Sequence, residues 1–251
     1  MAPTSTPKAK RDLRFAEGVV SNLSLFSGIS PSQLAAVARH CWTLSARRGD
    51  TLVSRDERMA GVYALAHGSV KLALRGADNE ERVLRLVSAG QTFGEAAALL
   101  GRASRCEALA LVESRLIVVP SAAIFSLIDR DPRFARNMVK RLAERTFELL
   151  AEVESATMWR GSQRLASYLN SLAEPAESGP CAVLLPVSKT LVAARLGVKK
   201  ETLSRLLRDF AKDGLISVSR REIAILDRVR LAEVARGNSS ADAPPRRHPL
   251  A

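Results

Sequence analysis

Histidine and cysteine are scarce in this chain, with three of each in 251 residues. The cysteines, Cys41, Cys106 and Cys181, stand far apart and form neither a disulfide framework nor a zinc pattern. An iron–sulfur cluster needs four thiolates, so that chemistry is set aside. No nucleophile–base motif or metal signature occurs, and nothing points to an enzyme. No apolar run approaches the roughly 20 residues of a membrane span. The opening MAPTSTPKAKRD has no apolar stretch of the secretory kind. A cytoplasmic, reduced protein without a membrane partner is the expectation. Acid is also short: 26 Asp and Glu stand against 38 Lys and Arg, a net charge of +12. Such an excess calls for a polyanionic partner.

Residues 1–16 and 237–251 are rich in Pro, Ser and charge and are expected to be disordered tails. After SQLAAVARH, a short amphipathic helix beginning near Pro31 or Ser32, come many short apolar segments: DTLVS, GVYALAHGSVKLAL, ERVLRLVSAGQTFGE and EALALVESRLIVVP. Short strands at this spacing predict a β-roll over 17–130 rather than a parallel α/β sheet. Gly49, Gly61, Gly68, Gly90 and Gly94 fall at the joints, where backbone needing positive φ places glycine.

Asp131-Pro132 opens a helix assigned to 131–160, with Pro in the first turn and Asp at the positive dipole end. Val139, Leu142, Thr146, Leu149, Val153 and Ala156 alternate spacings of three and four, the a/d seam of a heptad repeat. A seam needs a partner, and a second copy of the chain supplies one in a two-fold homodimer. Thr146 is polar inside the seam, where it sets register or touches a ligand. Met138, Phe147 and Leu150 lie beside the seam and are expected to pack on the β-roll.

The last ordered stretch, 161–236, reads as a winged helix-turn-helix. In SKTLVAARLGVKKETLSRLLRDF, Ser188 is placed to cap a first helix and Gly197 to make the turn. Leu203, Leu206, Leu207 and Phe210 form one apolar face of the second helix. Lys200, Glu201, Ser204, Arg205 and Arg208 form the opposite face, an acid, a hydroxyl and guanidinia suited to the major groove. Ser188, Lys189 and Lys199 are further DNA-contact candidates. LISVS and IAIL follow as two wing strands, with Arg220 and Arg221 at the tip to meet phosphates. Double-stranded DNA is therefore the expected partner. The competing class, a ligand-binding module acting on a protein partner, would have no use for this basic face.

Taken together, GVYALAHGSVKL, AGQTFGEAAALL, the DP-initiated helix and GVKKETLSRLL make the chain resemble the Crp/Fnr family of bacterial transcription regulators. The resemblance spans roughly Leu25 to Leu226. It implies an α+β protein: an N-terminal β-roll (a cyclic-nucleotide-binding-like jelly roll), a long dimerisation helix and a C-terminal winged helix-turn-helix. It implies that Glu201 and Arg205 read base edges. Ser204, in the run E-T-L-S-R, resembles the fumarate-nitrate and nitric-oxide-responsive branches, whose half-site resembles TTGAT. Lys199 departs from the small hydroxyl residue common at that helix start, losing a cap and gaining a phosphate contact. RNA polymerase is an implied partner if the protein activates.

Cyclic-nucleotide-binding members carry F-G-E followed ten residues later by R-[ST]. Phe93, Gly94, Glu95 and Arg105 match, and Ala96 supplies backbone after the Glu. Cys106 replaces the hydroxyl residue, Glu107 adds an acid beside it, and Asp56 stands at a turn where many members have Gly. A residual Glu95–Arg105 ion pair in an empty roll is the bland alternative. Haem is the other effector implied by the resemblance, with His40, His67 and Cys41 as candidate axial ligands.

Overall fold

The computed structural model describes residues 8–76, 81–173, 181–185, 187–219 and 222–237. The chain divides into two compact units, Met1–Glu148 and Leu149–Ala251. In the first, β1 (Lys8–Lys10), α1 (Leu13–Ser21), a 3-10 turn (Ser24–Phe26) and α2 (Pro31–His40) precede β2 (Trp42–Ala46) and β3 (Thr51–Val53). Next come β4 (Gly61–His67), β5 (Ser69–Arg75), β6 (Glu81–Ser88), β7 (Thr92–Phe93) and α3 (Glu95–Leu99). The unit then runs through β8 (Glu107–Ala110), β9 (Ser114–Pro120) and α4 (Ser121–Arg130) into α5 (Pro132–Met158), which belongs to the second unit from Leu149 on.

Antiparallel pairing makes a five-stranded sheet, β1-β2-β9-β4-β7, and a four-stranded sheet, β3-β8-β5-β6. β4 and β9 read as nearly unbroken apolar runs because both of their faces are covered. Tyr63, Leu65, Leu116 and Val118 enter the roll interior with Val70, Val87 and Phe93. Val62, Ala64, Ile117 and Val119 face the other way, onto Val20, Phe26, Val37 and Ile124 of the helical layer. Complete burial of a Leu or Ile is worth about 1.5–3 kcal/mol, so these two strands hold two cores at once.

Of the joint glycines, Gly49, Gly68, Gly90 and Gly94 have positive φ. Gly61 does not. It lies within β4, where a Cβ would run into the carbonyl of Val119 on β9, so close strand approach and not turn geometry selects it. Asp56, expected to tolerate the left-handed region, has φ 65°.

The tail expected over 1–16 is corrected for its second half. Lys8–Lys10 pairs with Thr43–Ser45 of β2. α1 begins at Leu13 because Asp12 caps it, accepting from the Phe15 N–H at 3.1 Å, and Ala16 is buried. Residues 1–7 and 238–251, also assigned to tails, lie outside the described residues. Gly237 closes the last helix in a left-handed cap.

α5 runs as expected. Asp131 caps it, accepting from the Arg133 and Phe134 N–H groups at 2.9 and 3.3 Å. Phe134 stacks on Phe26 with centroids 5.5 Å apart, and Met138 is buried as expected. Phe147 and Leu150 do not pack on the roll; they are 75% and 59% exposed. They widen the apolar strip on α5 instead.

The second unit contains α6 (Gly161–Leu172), β10 (Cys181–Leu184), α7 (Lys189–Leu196), α8 (Lys200–Lys212), β11 (Ile216–Ser219), β12 (Glu222–Ile225) and α9 (Arg228–Arg236). The expected wing strands are β11 and β12, and β10 adds a third in the order β10-β12-β11. Leu165, Ala166 and Leu169 of α6 and Leu231 and Val234 of α9 are buried, and the two helices pack together.

The Asp131 carboxyl lies below the usual carboxylate range. The cause is chiefly the Gln33 amide donating to it at 3.0 Å, then the backbone N–H groups of Phe134 and Arg133, against burial acting the other way. Its contribution to stability is therefore fully present above the ordinary value of about 4 and is lost as pH falls through the lowered one. Thermal unfolding of wild type and Asp131→Asn across pH 2.5–6 checks this. Wild type should be the more stable near pH 6, and the gap should close at the acid end. A gap independent of pH would rule the carboxylate cap out.

Candidate functional site

α7 and α8 form the helix-turn-helix, and each boundary has a visible cause. The Ser188 hydroxyl accepts from the Leu191 N–H at 3.4 Å. Gly197 ends α7 at φ 62° in the left-handed region. Lys199 occupies the N-cap of α8 and makes no side-chain cap there. Leu203, Leu207 and Phe210 are buried, with Leu206 partly so.

The opposite face is open. Lys199, Lys200, Glu201, Ser204, Arg205 and Arg208 are all exposed. Among the described residues, the side chains of Glu201, Arg205 and Arg208 have no ion-pair or hydrogen-bond partner. The Ser204 hydroxyl donates back to the Lys200 carbonyl at 3.0 Å, which leaves its oxygen free to accept. Exposed Ser188 and half-exposed Lys189 stand at the start of α7. Arg220 and Arg221, the expected wing-tip contacts, lie outside the described residues.

In the first unit, Phe93 ends β7 and stacks on Tyr63 with centroids 5.0 Å apart. Gly94 follows at φ 87°, and a Cβ there would strike the Met59 methyl. Glu95 and Ala96 begin α3. Arg105 is exposed and Cys106 half-buried; no Glu95–Arg105 ion pair forms among the described residues. Glu107 turns to Arg75, 3.0 Å away. The acid that follows Cys106 is therefore paired on the neighbouring strand β5.

Two features here escape a reading by motif. Ser104, buried beside Arg105, donates to the Cys106 carbonyl at 2.7 Å, so the hydroxyl precedes the Arg and not the reverse. Arg85 on β6 donates to the Thr92 carbonyl at 3.1 Å. Burial lowers its pKa, Arg145 and Arg141 of α5 push the same way, and Glu95 and Glu148 oppose them. Glu148, bonded to Arg145 at 2.8 Å, is held below the usual carboxylate range. β6, α3 and α5 thus bring Arg85, Glu95, Arg145 and Glu148 into one charge cluster.

The candidate haem ligands do not gather. His40 and His67 are exposed, one ending α2 and the other ending β4. Cys41 is buried, donates to the Val37 carbonyl at 3.4 Å, and has its thiol pushed up to about 12 by that burial. A neutral buried thiol is a poor axial ligand, because the thiolate is the ligating form.

α5 carries an uncovered apolar strip. Val139 is 67% exposed, Leu142 37%, Leu149 46% and Val153 59%; Thr146 and Ala156 are exposed with them. The Thr146 hydroxyl donates to the Leu142 carbonyl at 3.0 Å, so its proton is not available to a ligand. No helix among the described residues is long and apolar enough to cross a membrane.

A jelly roll followed by a long helix and a winged helix-turn-helix with an open basic face defines a DNA-binding regulator. Residues 43–131 match the cyclic nucleotide-binding domain, and residues 163–234 match the Crp-like helix-turn-helix domain. The CRP-like cAMP-activated global transcriptional regulator of Mycobacterium tuberculosis is 25% identical over 221 residues, covering 87% of this chain and 99% of that protein. The structure of a CRP/FNR-family transcriptional regulator from Thermus thermophilus superposes with a TM-score of 0.62 at 25% identity, covering 78% of this chain and all of that one. FixK2 from Bradyrhizobium japonicum shares the fold, with a TM-score of 0.67 at 22% identity over 76% of this chain and 96% of its own. The chain belongs to the Crp/Fnr family of transcription regulators.

With its thiol pushed up to about 12, Cys41 should resist iodoacetamide in the native protein at pH 7.5 and react once the chain is unfolded. Peptide mass spectrometry after a timed pulse reads this. Native labelling at the rate of a free thiol would exclude the buried, neutral state.

Proposed function

We propose that the protein acts as a homodimer on a palindrome with TTGAT-like half-sites, and that a cyclic nucleotide held in the β-roll controls it. The observation that carries the DNA reading is the solvated Glu201–Ser204–Arg205 row on a helix anchored by Leu203, Leu207 and Phe210. Arg205 pairs bidentately with guanine, and Glu201 accepts from the cytosine amino group on the other strand. Ser204, its proton committed to Lys200, presents an oxygen and a small contact surface to the neighbouring thymine. Ser188, Lys189, Lys199, Lys200 and Arg208 meet phosphates, with Arg220 and Arg221 added on sequence grounds. RNA polymerase is the further partner if regulation is positive.

The dimer reading rests on the α5 strip. Val139, Leu142, Leu149 and Val153 at 37–67% exposure make a contiguous apolar surface of the kind that marks an interface. Leu149→Asp should yield a monomer by size-exclusion chromatography with light scattering, and that monomer should lose palindrome binding. Selection from random DNA should return two-fold sites with half-site centres one helical turn apart. Arg205→Ala should cost about 1–3 kcal/mol per half-site and relax the guanine preference. Lys199→Ala should weaken all sequences alike and flatten the salt dependence. A motif without symmetry, or an unchanged guanine preference in Arg205→Ala, would overturn the reading.

The effector reading is supported by the intact Phe93–Gly94–Glu95–Ala96 turn, by exposed Arg105, which makes no ion pair among the described residues, and by the match of residues 43–131 to the cyclic nucleotide-binding domain. Glu95 takes the ribose hydroxyl. Arg105 takes the cyclic phosphate, with Cys106 a weak donor in place of a hydroxyl. Calorimetry should show cyclic AMP or cyclic GMP binding that Arg105→Leu abolishes. Binding that survives Arg105→Leu would place the nucleotide elsewhere, and no binding by wild type would remove this effector class.

A further inference from the structure

Two guanidinium side chains and an imidazole line a groove that the reading above leaves unused. Arg11, just ahead of α1, His40 at the end of α2 and Arg130 at the end of α4 line a cavity of about 630 Å³. Val37, Trp42, Ala123 and Leu127 give it apolar walls. That volume falls within the roughly 300–1,000 Å³ of small-molecule sites, which combine an apolar lining with a few converging polar groups. The groove shares no residue with the Phe93–Cys106 region.

The charged residues on its lining are Arg11 and Arg130, and the nearest carboxylate, Asp131, is held behind Gln33. No carboxylate lines the groove. Among the described residues Arg11, His40 and Arg130 make no ion pair. Of the uncharged polar lining residues, Gln33 and Ser126, Gln33 is already committed: its carbonyl accepts from the Ser30 N–H at 2.7 Å, and its amide donates to Asp131 at 3.0 Å. Uncompensated cations around a concave site concentrate anions there. Guanidinium forks pair with carboxylates and sulfonates, and the Trp42 indole offers a face for a flat apolar body.

We propose that this groove binds a free small organic acid, its anionic head among Arg11, His40 and Arg130 and its apolar body against Trp42 and the walls of α2 and α4. The chain's own first seven residues contain no acid and do not match this charge.

The test uses the full-length protein carrying Trp159→Phe, so that Trp42 is the only tryptophan. The probe is 1-anilinonaphthalene-8-sulfonate, an aromatic anion that accepts energy from indole. Excitation of Trp42 should give saturable sensitised emission. Dodecanoate should displace the probe and dodecanol should not. Arg11→Gln with Arg130→Gln, both at exposed positions, should weaken probe binding at least tenfold while the thermal transition stays put. Ala123→Phe, filling the groove, should remove the saturable component. Emission unchanged in the double variant, or equal displacement by dodecanol and dodecanoate, would overturn the proposal. Should Ala123→Phe fail to fold, the double variant and the paired competitors still decide it.

Discussion

One buried carboxylate, Asp131, ties three helices together. Its backbone N–H donates to the Leu127 carbonyl at 2.8 Å and closes α4. One side-chain oxygen receives the first N–H groups of α5, and the other receives the Gln33 amide. Gln33 in turn completes the capping box of α2 with Ser30. Unsatisfied helix-end N–H groups are costly inside a protein, so a single carboxylate here fixes where one helix stops, where the next starts and which helix they lean on. Phe134 and Phe26 then stack directly beneath. The exit of α5 from the core of the first unit is set by this junction, and Gln33 places a wall of the Arg11–Arg130 groove one hydrogen bond from it.

Much of this architecture was legible because the sequence repeats the same physical statement at several levels. The alternation of short apolar runs with glycine joints announced the roll, and the DP step announced α5 in its correct place. What stayed hidden has specific causes. β1 and α1 lie in a stretch whose Pro, Lys and Arg suggested a tail, and a single Asp12 cap with a two-strand register overrides that composition. Gly61 reads like a turn glycine but is a strand residue, because the carbonyl that excludes its Cβ belongs to Val119, far along the chain. Phe147 and Leu150 were assigned to the core from neighbourhood alone; helical phase carries them to the exposed side.

The two candidate sites differ in legibility for the same reason. The recognition helix is local: Ser188, Gly197, the apolar row and the basic row all lie within 23 residues, so periodicity exposes it. The candidate effector region is assembled from distant segments. That Glu107 turns to Arg75 on β5 follows from strand pairing between β5 and β8. That Arg85 and Arg145 join Glu95 follows from β6 and α5 meeting at α3. No window of sequence contains those facts, and a motif reads Ser104 as background because it sits on the wrong side of Arg105.

Charge is organised differently in the two places. In the first unit, guanidinia are spent on neighbours: Arg75 on Glu107 and Arg115 on Asp12 around the roll, and Arg145 on Glu148 along α5. Surface pairs of this kind add little stability, about 0–1 kcal/mol each, but they hold side chains still and cancel field. On α8, Glu201 and Arg205 stand one turn apart and do not pair. A solvated, uncompensated row keeps its field for a polyanion and need break no internal bond to meet a base edge. The opposing term is the rotamer entropy lost when a free Arg is fixed, about 1.5–2 kcal/mol. A bidentate guanine contact, worth about 1–3 kcal/mol of discrimination, exceeds or balances that loss only at the right base. An α8 face left unpaired in the free protein is therefore suited to reading sequence as well as to binding DNA.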